Sequence, residues 1–169
     1  MQGLIIENKA NLYKIKLGDI NYIATARGKF KNDSFTPVVG DIAEFSIVDE
    51  NKKTAVIEGV KERVSYIKRP KLANINQIVF VVSSKHPKPD LLLLDKQLAF
   101  AEFLHIKPVI VLNKIDLDDK HEFLNIQKIY EEIGYKVIQT DAKNGIGIEE
   151  ILLELKNNIS AFAGNSGVG

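Results

Sequence analysis

Residues 109–116 read Val109-Ile110-Val111-Leu112-Asn113-Lys114-Ile115-Asp116, four apolar residues followed at once by a polar turn. An unbroken apolar run of this kind reads as a strand covered on both faces, as in a parallel sheet flanked by helices. The surrounding chain agrees. Upstream, Ile78-Val79-Phe80-Val81-Val82 is a second such run. Between the two, Asp90 to Leu104 carries apolar residues at helical spacing, after the breaker His86-Pro87-Lys88-Pro89. Downstream, Lys120 to Ile133 predicts a helix stopped by Gly134, and Val137-Ile138-Gln139-Thr140 a strand. Ile148 to Leu155 predicts a further helix, and Ser160-Ala161-Phe162-Ala163 a last strand. The order βαβαβαβ predicts right-handed crossovers and an α/β domain with a parallel sheet over 75–169.

The first part of the chain follows another rhythm. Leu4-Ile5-Ile6, Leu12 to Leu17, Tyr22 to Ala26, Ile42 to Ile47 and Thr54 to Val60 are short β-forming runs, several with polar residues at every second place. Gly18-Asp19 and Asp49 to Lys53 punctuate them as turns. Five short strands without a helix predict an all-β barrel of the OB type over 1–67, and periodicity alone leaves an SH3-like barrel open. Lys68-Arg69-Pro70 opens a linker over 68–74.

Bulk composition narrows the classes. With 169 residues, 45% hydrophobic and 27% charged, and a net charge of +1, the chain is a folding one rather than a disordered one. It has no cysteine, which excludes disulfides and thiolate metal sites within it, and His86, His105 and His121 form no pair at metal-ligand spacing. No apolar run approaches the roughly 18 residues of a membrane span. Nor does the start, Met1-Gln2-Gly3-Leu4, resemble a secretory signal. A cytoplasmic protein without a membrane partner is expected. Residues 1–71 hold 13 Lys/Arg against 9 Asp/Glu, and residues 72–169 hold 10 against 13. That asymmetry makes the first part a candidate for phosphate-backbone contact, the alternative being an ordinary solvated surface.

The turn Asn113-Lys114-Ile115-Asp116 sits at a carboxyl end of a strand, where open α/β sheets bind ligands. An ionised carboxylate only accepts hydrogen bonds, and its two oxygens match two adjacent N–H donors. The N1 and N2 edge of guanine offers such a pair, and adenine does not. A site built on that pairing leaves a carboxylate unmatched when the wrong base enters, a discrimination of roughly 10⁴. Lys114 has an aliphatic stem that can lie over a flat base, and the Asn113 amide can bridge neighbouring loops. The alternative is a polar turn in which Asp116 caps the next helix.

Two further strand ends carry related loops. After Ser160 to Ala163 comes Gly164-Asn165-Ser166-Gly167-Val168-Gly169, a G-x-x-x-x-G frame whose backbone N–H groups can form a nest for phosphate oxygens. The full motif continues with Lys and then Ser or Thr. After Val137 to Thr140 comes Asp141-Ala142-Lys143, which is similar to the S-A-K loop of GTPases with Asp141 in place of Ser. By that likeness the Ala142 N–H is expected at guanine O6, with Lys143 beside the base.

In a conventional P-loop GTPase the phosphate loop comes first; here the base-reading loops do. On that order the chain resembles the RsgA (YjeQ/YloQ) family of circularly permuted GTPases. The segments that carry the resemblance are Ala26-Arg27-Gly28-Lys29-Phe30, Pro37-Val38-Val39-Gly40-Asp41, the linker Lys68-Arg69-Pro70 with Ala73-Asn74-Ile75-Asn76-Gln77, Pro108 to Leu117 and Ala161 to Gly169. The resemblance implies an OB barrel, a permuted GTPase domain seen here in part, and a zinc-binding domain that this sequence lacks. It further implies action in late maturation of the small ribosomal subunit, with GTP or GDP and Mg²⁺ bound and ribosomal RNA as a partner. The phosphate-loop Lys, both switches and any D-x-x-G are absent from these residues, so no catalytic residue is assigned and the chain by itself is expected not to hydrolyse GTP. A monomer is expected.

For RNA contact the family likeness directs attention to the barrel. Arg27, Lys29 and Lys31 alternate, so an extended strand would set them on one face and Phe30 on the other. Tyr13, Tyr22 and Phe35 could stack on bases, although a place in the barrel core suits most of them better. The competing reading is a non-catalytic RNA-binding barrel with an α/β scaffold. A dinucleotide-binding oxidoreductase fits poorly, because no G-x-G-x-x-G follows the first parallel strand.

Overall fold

Residues 1–28, 36–119 and 122–169 are described by the structure, a computed structural model. They form two units, Met1–Asn74 and Ile75–Gly169. In the first, β1 (Gln2–Lys9), β2 (Leu12–Leu17), β3 (Ile20–Ala26), β4 (Ile42–Asp49) and β5 (Thr54–Val60) close a barrel in the order β1-β2-β3-β5-β4. Neighbours run antiparallel except β3 and β5, which are parallel. That crossing is the OB arrangement and settles the choice that periodicity left open.

Alternation fills the barrel. Every second side chain points inward, and Ile5, Tyr13, Ile15, Tyr22, Ala24, Ala43, Phe45, Ala55 and Ile57 make the core. Three alanines leave the room that three aromatic rings take. The rings of Tyr22 and Phe45 lie 5.6 Å apart, tilted by 46°, a geometry worth about 0.5–1.5 kcal/mol beyond burial. At Gly3 an added Cβ would stand 2.6 Å from Ile15 Cγ2 and 2.8 Å from the Lys16 carbonyl oxygen, so β1 packs this closely only without a side chain there. Both tyrosines proposed as stacking platforms are thus core residues. Phe35, like Phe30, lies outside the described residues.

Segment 68–74, expected as a linker, is folded into the first unit. β6 (Tyr66–Lys68) and β7 (Lys71–Ala73) form a hairpin whose register pairs Tyr66 with Ala73, Ile67 with Leu72 and Lys68 with Lys71. Its base is anchored: the Ala73 N–H donates to the Val39 carbonyl at 2.9 Å, and Asn74 Nδ2 donates to the Gly40 carbonyl at 2.9 Å. Gly40 has φ +94°, and a Cβ there would meet the Ala73 carbonyl oxygen at 1.8 Å. Only glycine suits both the conformation and the approach. Next to it the fully buried Asp41 carboxylate accepts from the Val38 N–H at 2.8 Å and from Arg63 Nε and Nη2, both at 2.8 Å. Arg63 also donates to the Thr36 carbonyl and lies 4.5 Å from the Tyr66 ring centroid. Its pKa is raised, first by the hydrogen bonds to Asp41.

The second unit is a parallel sheet in the order β10-β9-β8-β11. Its strands are β8 (Gln77–Ser83), β9 (Lys107–Asn113), β10 (Lys136–Thr140) and β11 (Ser160–Gly164). One face, Val79, Val109, Val111 and Ile138, packs on Ile151 and Leu155 of α3 (Ile148–Leu155). On the other, α1 (Leu91–Phe103) lies against β8 and β9, and α2 (Glu122–Glu132) against β10. The expected helix start at Lys120 lies outside the described residues. Asp90 caps α1, its Oδ1 accepting from the Leu93 N–H at 2.9 Å. No helix among the described residues is long and apolar enough to cross a membrane. Because the strands are parallel, Ser83, Asn113, Thr140 and Gly164 all end at one edge of the sheet.

Candidate functional site

Asn113 is the node of that edge. It closes β9, is almost wholly buried, and uses both ends of its amide. Nδ2 donates to the Val168 carbonyl at 2.8 Å, while Oδ1 accepts from Thr140 Oγ1 at 2.9 Å and from the Ala142 N–H at 3.1 Å. One side chain therefore ties the ends of β9 and β10 to the glycine turn after β11, the bridging its amide was expected to make. Asn113→Ala removes all three bonds and leaves the buried Thr140 hydroxyl without its acceptor. It is expected to lower stability by about 1–3 kcal/mol, read by urea unfolding; a loss under about 0.5 kcal/mol would leave the node without energetic weight.

Lys114 follows with φ 65° and ψ 44°, a left-handed conformation rare for a side-chain-bearing residue. That turn swings its chain back across the glycine loop. Nζ donates to the Gly167 carbonyl at 2.5 Å and to the His86 carbonyl at 2.7 Å, and Ser84 Oγ donates to the Lys114 carbonyl at 2.6 Å. Lys114 is thus a clamp between two loops as well as a stem beside the turn. This role for the loop Ser84 to His86 was missed in the sequence, because its contacts are made through backbone carbonyls, which carry no residue signal.

The two nearby carboxylates divide their work. Ile115–Leu117 forms a single 3₁₀ turn, and it is Asp118 that caps α2, with Oδ1 and Oδ2 accepting from the Glu122 and Phe123 N–H groups at 3.0 Å each. Asp116 has no part in the cap. Its carboxylate is exposed and has no hydrogen bond or ion pair among the described residues. The alternative of Asp116 as a helix cap is therefore removed.

Asp141, in the place of the usual Ser, is buried and closes the next loop. It accepts from the Asn144 N–H at 3.2 Å and from Asn144 Nδ2 at 2.5 Å. The Ala142 N–H, expected at a base oxygen, is directed to Asn113 Oδ1. Beside it the Lys143 N–H has no protein partner among the described residues, and the Lys143 side chain is exposed.

In the glycine turn, carbonyls and N–H groups face different partners. The Gly167 and Val168 carbonyls are taken by Lys114 and Asn113. The N–H groups of Asn165, Ser166, Gly167 and Gly169 have no protein partner among the described residues, and only that of Val168 closes on the Asn165 carbonyl, at 3.3 Å. Gly167 has φ +85°, and a Cβ on Gly164 would fall 2.7 Å from the Val81 carbonyl oxygen. Successive free N–H groups in such a turn are what an anion nest requires. Magnesium and zinc, implied by the resemblance, find no cluster of three ligating side chains among the described residues.

The basic row is placed only in part. Arg27, just beyond β3, is ion-paired with Glu58 at 3.0 Å, and Glu58 also accepts from Ser46 Oγ. Lys29 and Lys31 lie outside the described residues.

Comparisons with known proteins cover both units. Family models described as RsgA N-terminal domain and RsgA GTPase match residues 2–57 and 60–169. A protein of Caldanaerobacter subterraneus named small ribosomal subunit biogenesis GTPase RsgA is 39% identical over 169 residues, covering 100% of this chain and 57% of that one. The protein of that name in Ruminiclostridium cellulolyticum is 40% identical, covering 99% and 55%. Among solved structures, YjeQ from Thermotoga maritima superposes with a TM-score of 0.85 at 33% identity, covering 99% of this chain and 61% of that one. YloQ, described as a circularly permuted GTPase, gives 0.82 at 30% identity with the same coverage. The chain thus spans somewhat over half the length of these relatives.

Proposed function

Since the chain belongs to the RsgA family, we propose that in the complete polypeptide it supplies the guanine-reading half of a GTPase that acts in late maturation of the small ribosomal subunit. The observation that carries the reading is the division of labour between Asp116 and Asp118. A helix start has one carboxylate for its cap and keeps a second exposed and unpartnered, beside loops fixed by Asn113. Asp116 accepts from N1–H and the 2-amino group of guanine. The Lys114 stem lies against one face of the base, with Lys143 near the other. The Ala142 N–H is shared between Asn113 and the base oxygen, or the neighbouring Lys143 N–H takes that oxygen, since an N–H can serve two acceptors. The backbone of Gly164, Asn165, Ser166, Gly167, Val168 and Gly169 receives the phosphates.

Bound GTP would supply the bond that is cleaved, and Mg²⁺ the charge that balances its phosphates. Toward both groups the residues of this chain supply base recognition, loop anchoring and part of the phosphate cradle. The barrel contacts ribosomal RNA, in a cytoplasmic setting and as a monomer.

Hydrolysis of GTP by the complete polypeptide, measured with and without purified small ribosomal subunits, tests this reading. The expected result is slow hydrolysis that the subunits accelerate. No hydrolysis in either condition would overturn it.

A further inference from the structure

Which part of the barrel unit meets RNA can be argued from its cations. Five of its eleven described Lys and Arg side chains are neutralised within the unit, and Lys16, Lys53 and Lys61 are scattered cations without an ion pair among the described residues. Lys9 and Lys14 share Glu7, Arg27 pairs with Glu58, Lys52 with Asp49 and Arg63 with Asp41. At the tip of the β6–β7 hairpin three unpaired cations fall within four consecutive positions. Lys68, Arg69 and Lys71 are exposed, and none of their side chains has an ion pair or hydrogen bond among the described residues. No Asp or Glu occurs between Glu62 and Asp90, so the local chain has no counter-charge to offer.

The register makes the arrangement costly in the free protein. Lys68 stands directly across from Lys71, and like charges in that position repel. Arg69 sits in the turn between them. The base of the hairpin is meanwhile held firmly: Ile67 and Ala73 are buried, and Ala73 and Asn74 are bonded to Val39 and Gly40. Three unpaired cations on a fixed scaffold, two of them mutually repelling, form a preorganised anion contact that loses little freedom on binding. The other exposed residue of the tip is Pro70. A membrane-seeking tip would need a larger apolar side chain.

We propose that the β6–β7 tip, through Lys68, Arg69 and Lys71, grips the phosphate backbone of folded RNA, and that it is a principal electrostatic contact of the barrel unit. This rests on the RNA partner proposed above and moves the expected contact from the Arg27 row to the hairpin. Arg69 suits paired phosphate oxygens through its planar fork, and the lysines act as point charges at its sides.

The test is binding of the complete polypeptide to purified small ribosomal subunits over a series of KCl concentrations. Lys68→Ala/Arg69→Ala/Lys71→Ala is expected to weaken binding about tenfold or more near 0.1 M salt, and to reduce the slope of log K against log[salt] by about 2–3. Lys68→Arg/Lys71→Arg, which keeps the charge, should restore the parent behaviour. A charge-matched triple on the second unit, Lys96→Ala/Lys128→Ala/Lys156→Ala, should move the slope much less. Guanine nucleotide affinity should stay unchanged throughout. Tight subunit binding by the parent with an unaltered slope in the hairpin triple overturns the hairpin contact and leaves the proposed function standing. No subunit binding by the parent overturns both. Equal losses in the two triples reduce the effect to net charge and also overturn the contact. So does loss of binding to phosphatidylglycerol vesicles with subunit binding intact.

Discussion

Asp116→Asn is expected to abolish the preference for guanine and create one for xanthine. The carboxylate offers two acceptors to the N1–H and 2-amino donors of guanine. An asparagine amide offers one acceptor and one donor. It matches a base with N1–H beside a carbonyl at C2, which is xanthine, and sets its NH₂ against the guanine amino group. GDP affinity should fall by roughly 10⁴, with XDP gaining what GDP loses. Because Asp116 takes no part in capping α2, which Asp118 does, the variant should unfold at the same urea concentration as the parent. Loss of all nucleotide binding together with lowered stability would mean that Asp116 serves the fold instead.

The second large effect concerns stability. Asp41→Ala leaves the Arg63 side chain, 11% exposed, without its carboxylate partner and also strips the Val38 N–H of its acceptor. Removing one member of such a pair costs about 3–5 kcal/mol, and urea unfolding of the complete polypeptide should show a loss of that size in the barrel transition. Asp41→Ala combined with Arg63→Met should recover part of it, since the apolar replacement no longer strands a charge. A single-variant loss below about 1 kcal/mol would show that the pair is tolerated rather than needed.

The two units differ in how much of them could be read in advance. β8 and β9 were legible because burial on both faces leaves an unbroken apolar run, Ile78 to Val82 and Val109 to Leu112. The barrel was legible from alternation, yet its strand order was not: nothing local to Ile23 or Thr54 announces that β3 and β5 run parallel. The hairpin was hidden for a related reason. Three-residue strands have no measurable period, Pro70 reads as punctuation, and what orders them is contact with Val39 and Gly40, more than thirty residues earlier. At the site, residue types located Asn113, Lys114 and Asp116. Geometry alone assigned the capping bonds to Asp118, the clamp to the His86 carbonyl and the Ala142 N–H to Asn113. Each of these bonds joins a side chain to a backbone group, and backbone groups leave no mark on a sequence.

If Asn113 to Asp116 read guanine, the complete polypeptide must tell guanine from adenine. Calorimetric titration of GDP and ADP into the complete polypeptide tests it most directly. Binding of GDP with ADP weaker by at least about 10³-fold is the predicted result. Equal affinity for the two nucleotides, or binding of neither, would contradict it.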